Sequence, residues 1–310
     1  MSQNGCASVF DTRSSRVMSA ALLLTSAATS VLLGANAPVV VLGPGSLDMR
    51  LLTAKIAARS GFDTALFTGQ GAPTKLWWEQ MYGEEDIPGE QLEGRPSLLS
   101  GNDERGAALG AAEGLCIVSD GSALSATALE SVLEAAPSLQ KVVLMSKMGV
   151  SRATAGPLGL GKESVEQREA EERLQAACAR ADLDLSIVRV GTLKGGGPGD
   201  SPGGTDVGLA RPYYDNIFDL DQLRMTTAHD RRTLGAACTR GDPYDLSNSL
   251  VRLSRKGSFE PYDDETNRAV ACSAVVAALR HSSGVEVSVS SASGETIPTS
   301  GQWEAILNQL

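Results

Sequence analysis

Five consecutive residues, Pro38-Val39-Val40-Val41-Leu42, run straight into the turn Gly43-Pro44-Gly45-Ser46, and a helical pattern follows at once. A strand with one face in water alternates apolar and polar side chains. An unbroken β-branched run therefore belongs to a strand covered on both faces, as in a parallel sheet sandwiched between helices. Leu51, Leu52, Ile56 and Ala57 keep close to helical spacing up to Ser60-Gly61, a helix stop, and Ala65-Leu66-Phe67 reads as a second short strand. One β-α-β unit is complete in about 30 residues, as that motif requires.

The alternation continues along the chain. Further strands are expected at Leu115-Cys116-Ile117-Val118, Val142-Val143-Leu144-Met145, Ser186-Ile187-Val188-Arg189-Val190 and Val285-Glu286-Val287-Ser288-Val289. Between them lie helical stripes: Ala170, Leu174, Ala177, Cys178 and Ala181, then Val270, Ala271, Ala274, Val275, Ala278 and Leu279. Trp303, Ile306, Leu307 and Leu310 make a closing amphipathic helix. Strands alternating with helices predict an α/β fold, a doubly wound and mainly parallel sheet with helices on both faces. Right-handed crossovers then collect the strand C-termini along one edge, where ligands bind. Two stretches depart from the pattern. Residues 69–105, with Trp77, Trp78 and several Gly and Pro breaks, are expected to be irregular; residues 195–265, opening on Gly195-Gly196-Gly197, read as a loop-rich insertion capping the ligand edge.

Composition narrows the function classes. The formal charge of −10 argues against general binding to nucleic acid or anionic lipid surfaces. Five widely spaced cysteines match neither a disulfide framework nor a zinc site, and with two histidines, His229 and His281, a histidine-rich metal centre is excluded. Residues 1–37 differ from the rest. Arg13 and Arg16 precede an uncharged stretch that ends in Ala35-Asn36-Ala37, like a cleavable targeting segment. Five Ser/Thr residues interrupt that stretch, which argues against a membrane-spanning anchor. The domain is expected at 38–310, with 195–265 as its insertion.

The turn at Gly43 carries the clearest chemical signal. A glycine turn between a strand and a helix lets backbone N–H groups approach a diphosphate at the helix's positive end. The motif is incomplete in either common spacing: Asp48 stands at the third glycine of GxGxxG, and Ser46 and Met49 at the later glycines of GxxGxxG. Asp48 would repel a phosphate if it pointed inward.

Other segments carry a resemblance. Leu183-Asp184-Leu185-Ser186-Ile187-Val188-Arg189-Val190-Gly191-Thr192-Leu193 closely resembles a late strand of the atypical (extended) short-chain dehydrogenase/reductases, of the NmrA-like or plastid type. The preceding Arg168-Glu169-Ala170-Glu171-Glu172-Arg173-Leu174 is similar to their Ala-Glu-Glu helix, and Val142-Val143-Leu144-Met145-Ser146-Lys147-Met148-Gly149-Val150 to another of their strands. Asn267-Arg268-Ala269-Val270-Ala271 is a fainter match to a late helix. The resemblance implies a Rossmann-type fold binding NAD or NADP. By position, Gly43, Gly45, Ser46 and Leu47 would line the diphosphate. Thr68 would lie near the adenosine ribose and Asn102 or Asp103 near the adenine. Ser119 and Asp120 would lie beside the middle of the cofactor, and Ser146, Val190 and Gly191 around the nicotinamide. No acid ends the second strand, which favours NADP, although no Arg stands there either and Lys75 is a distant candidate. The plastid is the destination implied for the leader, with the secretory pathway or cytoplasm as alternatives.

The family's catalytic Tyr-x-x-x-Lys is missing. The aligned residues are Glu163 and Gln167, and neither an ionised carboxylate nor a neutral amide can supply a proton as that pair does. Two expectations follow. One is a dinucleotide-binding sensor, or an assembly or interaction factor that meets a protein partner through residues 195–265. The other is an NADPH-dependent oxidoreductase drawing its proton from Tyr213, Tyr214 or His229. A site without any ligand, its fold serving structure alone, is the reading that Asp48 supports. N-terminal sequencing of protein from its native source tests the leader: a start near Pro38 is expected, and an intact Met1 contradicts it.

Overall fold

A computed structural model describes residues 31–69, 74–82, 94–152, 162–196, 208–215, 222, 225, 230, 232–244 and 265–310. The sequence-based assignments for residues 1–30, His229 and the side chain of Lys75 lie outside these. Eight strands form one sheet in the order β3-β2-β1-β4-β5-β6-β10-β8: β1 (Pro38–Leu42), β2 (Asp63–Phe67), β3 (Ser97–Leu99), β4 (Gly114–Val118), β5 (Lys141–Lys147), β6 (Asp184–Val190), β8 (Gly235–Arg240) and β10 (Glu286–Ala292). All neighbours run parallel except β8, which pairs antiparallel with β10. β7 (Thr192–Lys194) and β9 (Glu265–Asn267) form a separate parallel pair.

Helices cover both faces, as the unbroken apolar strands require. Val39 and Val41 of β1, Cys116 and Val118 of β4 and Val188 and Val190 of β6 share one core cluster with α1 (Leu47–Arg59) and the late helices. Val40, Leu42, Leu115, Ile117 and Ile187 join the other, with α3 (Asn102–Ala111), α4 (Ala126–Glu134) and α5 (Lys162–Ala181). The remaining helices are α2 (Thr74–Tyr82), the short α6 (Arg211–Asp215), α7 (Arg268–Arg280) and α8 (Ser300–Asn308). α1 and α7 are buried along most of their length, rich in alanine, and joined where Thr53 Oγ1 donates to Cys272 Sγ at 3.3 Å. Small side chains let the two backbones approach, so scarce aromatics are no handicap to this core.

Three cationic side chains among the described residues are sealed inside. Lys55 donates to the carbonyls of Met81 and Gly208 at 2.8 and 2.7 Å, which fastens α2 and the approach to α6 onto α1. Lys141 pairs with Asp184 at 2.9 Å and donates to the His281 carbonyl. Arg189 points to the same face as Ile187 and meets Glu171 of α5 in a two-pronged pair, with Nη2–Oε2 at 2.6 Å and Nε–Oε1 at 3.3 Å. The Ala170-Glu171-Glu172 and Val188-Arg189-Val190 segments that carry the family resemblance are therefore two halves of one internal ion pair.

Both irregular stretches hold more order than their sequence indicates. Residues 69–105 contain β3, α2 and the start of α3. β3 is three residues long, too short to display a period, and the breaks around α2 obscure a helix that buries Met81. The 195–265 region is not wholly a cap, because β8 belongs to the central sheet. As an edge strand of Gly, Ala, Cys, Thr and Arg, β8 is held by its hydrogen-bonded ladder and shows no apolar alternation.

Removing one member of the Arg189 pair strands a buried charge. Glu171→Gln is expected to lower the unfolding free energy by about 3–5 kcal/mol. Glu286, whose carboxylate is 49% exposed while bonded to Arg189 Nη1 at 2.6 Å, should lose under about 1 kcal/mol on change to Gln. Urea unfolding of the two variants decides this, and equal small losses contradict the assignment.

Candidate functional site

The sheet order reverses between β1 and β4, and there the two connections leave in opposite directions. That is the crevice where open α/β sheets bind ligands. β1 ends in the Gly43 turn, which rests on the end of β4. Gly43 has φ of 140°, and a Cβ placed there would lie 2.1 Å from the Val118 carbonyl oxygen. Gly45 donates its N–H to that same oxygen at 2.9 Å. A Cβ on Gly45 would lie 2.2 Å from Asp120 Oδ1. Both glycines are thus required by the approach of two strands.

The first turn of α1 opens onto this junction. Ser46 occupies the N-cap position with extended backbone, yet its hydroxyl does not cap its own helix. Its N–H donates to Asp120 Oδ1 at 2.8 Å and its hydroxyl to Asp120 Oδ2 at 2.6 Å. A carboxylate from the end of β4 therefore sits at the positive end of a 13-residue helix. Asp48 does not compete for that position, since its Oδ2 lies 3.1 Å from Nε of Arg268 at the start of α7. Arg268 also donates to the Gly195 carbonyl at 2.9 Å, joining α1, α7 and the exit of β7.

The other expected residues fall along the same strand edge. Thr68 follows β2, where its N–H and hydroxyl both donate to the Leu99 carbonyl, at 3.0 and 3.1 Å. Asn102 and Asp103 begin α3 and are exposed. Ser119 is buried; its N–H bonds the Met145 carbonyl at 3.0 Å and its hydroxyl donates to the Ser122 carbonyl. Ser146 is buried near the end of β5, Val190 lies in the core, and the Gly191 N–H is taken by Thr266 Oγ1 at 2.8 Å. Leu47 packs partly buried against the core beneath the turn.

Two cations absent from the expected set stand at the end of β2. Arg50 Nη1 donates to the Phe67 carbonyl at 3.1 Å, and the Arg105 guanidinium lies 5.3 Å from the Phe67 ring centre. Burial pulls the Arg50 pKa below its ordinary value, with Asp120 opposing. Both arginines come from helices, α1 and α3, so the sequence around β2 carries no sign of them.

The family's catalytic positions do reach this edge. Gln167, buried, donates Nε2 to the Ser119 carbonyl at 3.3 Å, while its Oε1 has no hydrogen-bond partner. It lines a cavity of about 20 Å³ with Ser119, Ser146 and Glu171, room for about one water molecule. Glu163 is exposed, its Oε1 4.0 Å from where a Gly121 Cβ would lie. Tyr213, half-buried, stands close enough to Asp48 and Arg268 to feel both charges. Burial first, then Asp48, raises its pKa well above the usual range. Tyr214 is buried, and burial raises its pKa likewise. Both phenols keep their protons, the reverse of the activation that a neighbouring lysine supplies.

Burial also pushes the Cys178 and Cys238 thiols up to about 12, which removes them as nucleophiles at neutral pH. Among the described residues no group of three His, Cys, Asp or Glu is placed to hold a metal ion, and no helix is long and apolar enough to cross a membrane. A groove of about 420 Å³ between α1, α7 and α8, lined by Arg280, His281 and Trp303, includes Ser60 at the far end of α1 and is no part of this edge.

No protein-family model matches the chain, and no curated protein matches it. Among solved structures, it is similar to a Bacillus halodurans protein provisionally described as an NAD-dependent epimerase/dehydratase. The identity is 14% and the TM-score 0.51, with 88% of this chain and 99% of that one covered. A wide-type short-chain dehydrogenase/reductase from Veillonella parvula, in complex with NADP, matches at 15% identity and a TM-score of 0.44, covering 81% and 93%. A UDP-N-acetylglucosamine 4-epimerase from Methanobrevibacter ruminantium, in complex with UDP-N-acetylmuramic acid, matches at 11% and 0.46, covering 81% and 76%. The first likeness, over nearly the whole of both chains, is one of fold: a Rossmann-type sheet with helices on both faces.

Proposed function

We propose that this protein is an atypical short-chain dehydrogenase/reductase that binds NADP or NAD along the strand edge and acts as a dinucleotide-dependent sensor or interaction factor. The observation that carries this reading is the β1–glycine turn–α1 unit at the reversal of strand order, with the Ser46 N–H turned to the position a diphosphate would take. The description of the Bacillus halodurans protein as NAD-dependent is consistent with it. Arg50 and Arg105 favour NADP. Among the described residues no acid ends β2 to accept a ribose 2′-hydroxyl, and Arg50 Nε is buried without a hydrogen-bond partner, as a guanidinium awaiting a phosphate would be. Glu163 and Gln167 argue against tyrosine-dependent carbonyl reduction, because Gln167 is tied to the Ser119 backbone and carries no charge.

A second reading, an NADPH-dependent oxidoreductase, has Tyr213 as its best-placed donor, beside Asp48 and Arg268. It ranks below the first because nothing near that phenol lowers its pKa enough to make it an efficient acid. Titration of the full chain with NADPH and NADH, followed by nicotinamide fluorescence, tests the first reading. Saturable binding with NADPH the tighter ligand is expected, and Arg50→Met should narrow the preference by about tenfold, the scale of one charge-assisted contact. Absence of saturable binding for both dinucleotides overturns it. NADPH turnover on a carbonyl substrate, lost in Tyr213→Phe, would favour the second reading instead.

A further inference from the structure

A helix that begins at a strand–turn junction presents unsatisfied N–H groups, and whatever anion reaches them first is held there. In this chain the anion is internal. We propose that Asp120 is a built-in competitor for the diphosphate: its carboxylate holds the cradle closed, and a dinucleotide enters only by displacing it. The proposal rests on the dinucleotide reading above.

Both carboxylate oxygens are engaged, Oδ1 by the Ser46 N–H at 2.8 Å and Oδ2 by the Ser46 hydroxyl at 2.6 Å. The contact joins residues 74 positions apart, so it is no accident of local chain geometry. It is also close. With a Cβ on Gly45 reaching 2.2 Å from Oδ1, the carboxylate is seated against the turn itself, where a diphosphate would have to lie. Ser46, the N-cap residue, has turned its hydroxyl from its own helix to this carboxylate, so one side chain replaces both the ordinary cap and the ligand.

The charges around it leave Asp120 as the competitor. Asp48, the other acid at this helix end, is paired with Arg268. Arg50 is near enough to feel Asp120, but its Nη1 is committed to the Phe67 carbonyl. Glu163 is exposed and bonds to neither Ser46 nor Asp120; its Oε1 lies 4.0 Å from where a Gly121 Cβ would lie. Among the described residues Asp120 makes no ion pair, so its charge, felt by Arg50 without direct pairing, would stand against an incoming phosphate. The backbone behind it is anchored, since the Ser119 N–H is bonded to Met145 and the Ser119 carbonyl to Gln167. Displacement is thus a rotation of one side chain. The device makes occupancy depend on how far dinucleotide concentration exceeds a threshold that Asp120 sets, which suits a sensor better than a reductase that keeps its cofactor bound.

The test is NADPH titration of the full-length wild type beside Asp120→Asn, Asp120→Ala and Glu163→Gln, each checked by thermal melting without ligand. Asp120→Asn keeps the shape and an acceptor for Ser46 while removing the charge, so it remains informative if Asp120→Ala does not fold. Both Asp120 variants should bind about tenfold tighter or more, the effect of losing one charge-assisted competitor. Glu163→Gln removes a nearby charge without touching the cradle and should change affinity by less than about threefold. Asp120 variants that bind no tighter than a wild type that does bind overturn the proposal and leave the dinucleotide reading standing. If wild type and every variant fail to bind, the dinucleotide reading fails, and this proposal with it.

Discussion

The ends of β1 and β4 meet with no room for a side chain between them, and the rest of the ligand edge is built outward from that contact. Gly43 lies against the Val118 carbonyl, and Gly45 donates its N–H to the same oxygen. One carbonyl therefore sets how the chain leaves β1, where α1 starts and in which direction its first N–H groups point. Because the strand order reverses at this junction, the same contact places the crevice of the doubly wound sheet. A glycine pair of this kind is commonly read as clearance for a ligand. Here its first demand is internal: the backbone of β4 and the carboxylate of Asp120 already occupy the space that side chains would need.

Polar groups inside the sheet layers work to one end, which is registry. Arg189 with Glu171 fixes how α5 lies on β6, and so carries Gln167 to the Ser119 carbonyl four residues earlier on the helix. Lys141 with Asp184 locks the starts of β5 and β6 together, and Lys55 ties α1 to the segments around Met81 and Gly208. Asp230 accepts from the Gly196 N–H at 2.8 Å and from Asn267 Nδ2 at 2.6 Å, joining the exit of β7 to the start of α7. These groups would be costly if left unpaired. Their placement gives the segments that resemble short-chain reductases a structural role: they hold the fold together under the candidate site.

Much of the fold was legible because two-sided burial leaves a plain mark. β1, β4, β5 and β6 are apolar runs or nearly so, and α7 is apolar around most of its circumference. β3 and β8 were not legible, the first for its three residues and the second because an edge strand needs only one hydrogen-bonded neighbour. At the candidate site, the turn and the positional resemblance point to Gly43, Gly45, Ser46, Ser119 and Asp120 one at a time. What sequence could not convey is that Ser46 and Asp120 bind each other, a contact made by tertiary folding. The same holds for Asp48, whose charge is set in the fold beside Arg268, a partner 220 positions away in sequence that only tertiary packing brings near. Arg50 lies in an ordinary helical stripe, and only the packing of α1 on β2 brings it to Phe67.

The proposed diphosphate site is the cradle at the start of α1, held by an internal carboxylate. A crystal structure of the protein grown with excess NADPH tests it most directly. The diphosphate is expected on the Ser46 N–H, with the Asp120 side chain rotated away and the Ser119 backbone unmoved. Asp120 still bonded to Ser46 while the dinucleotide lies elsewhere on the chain would contradict it.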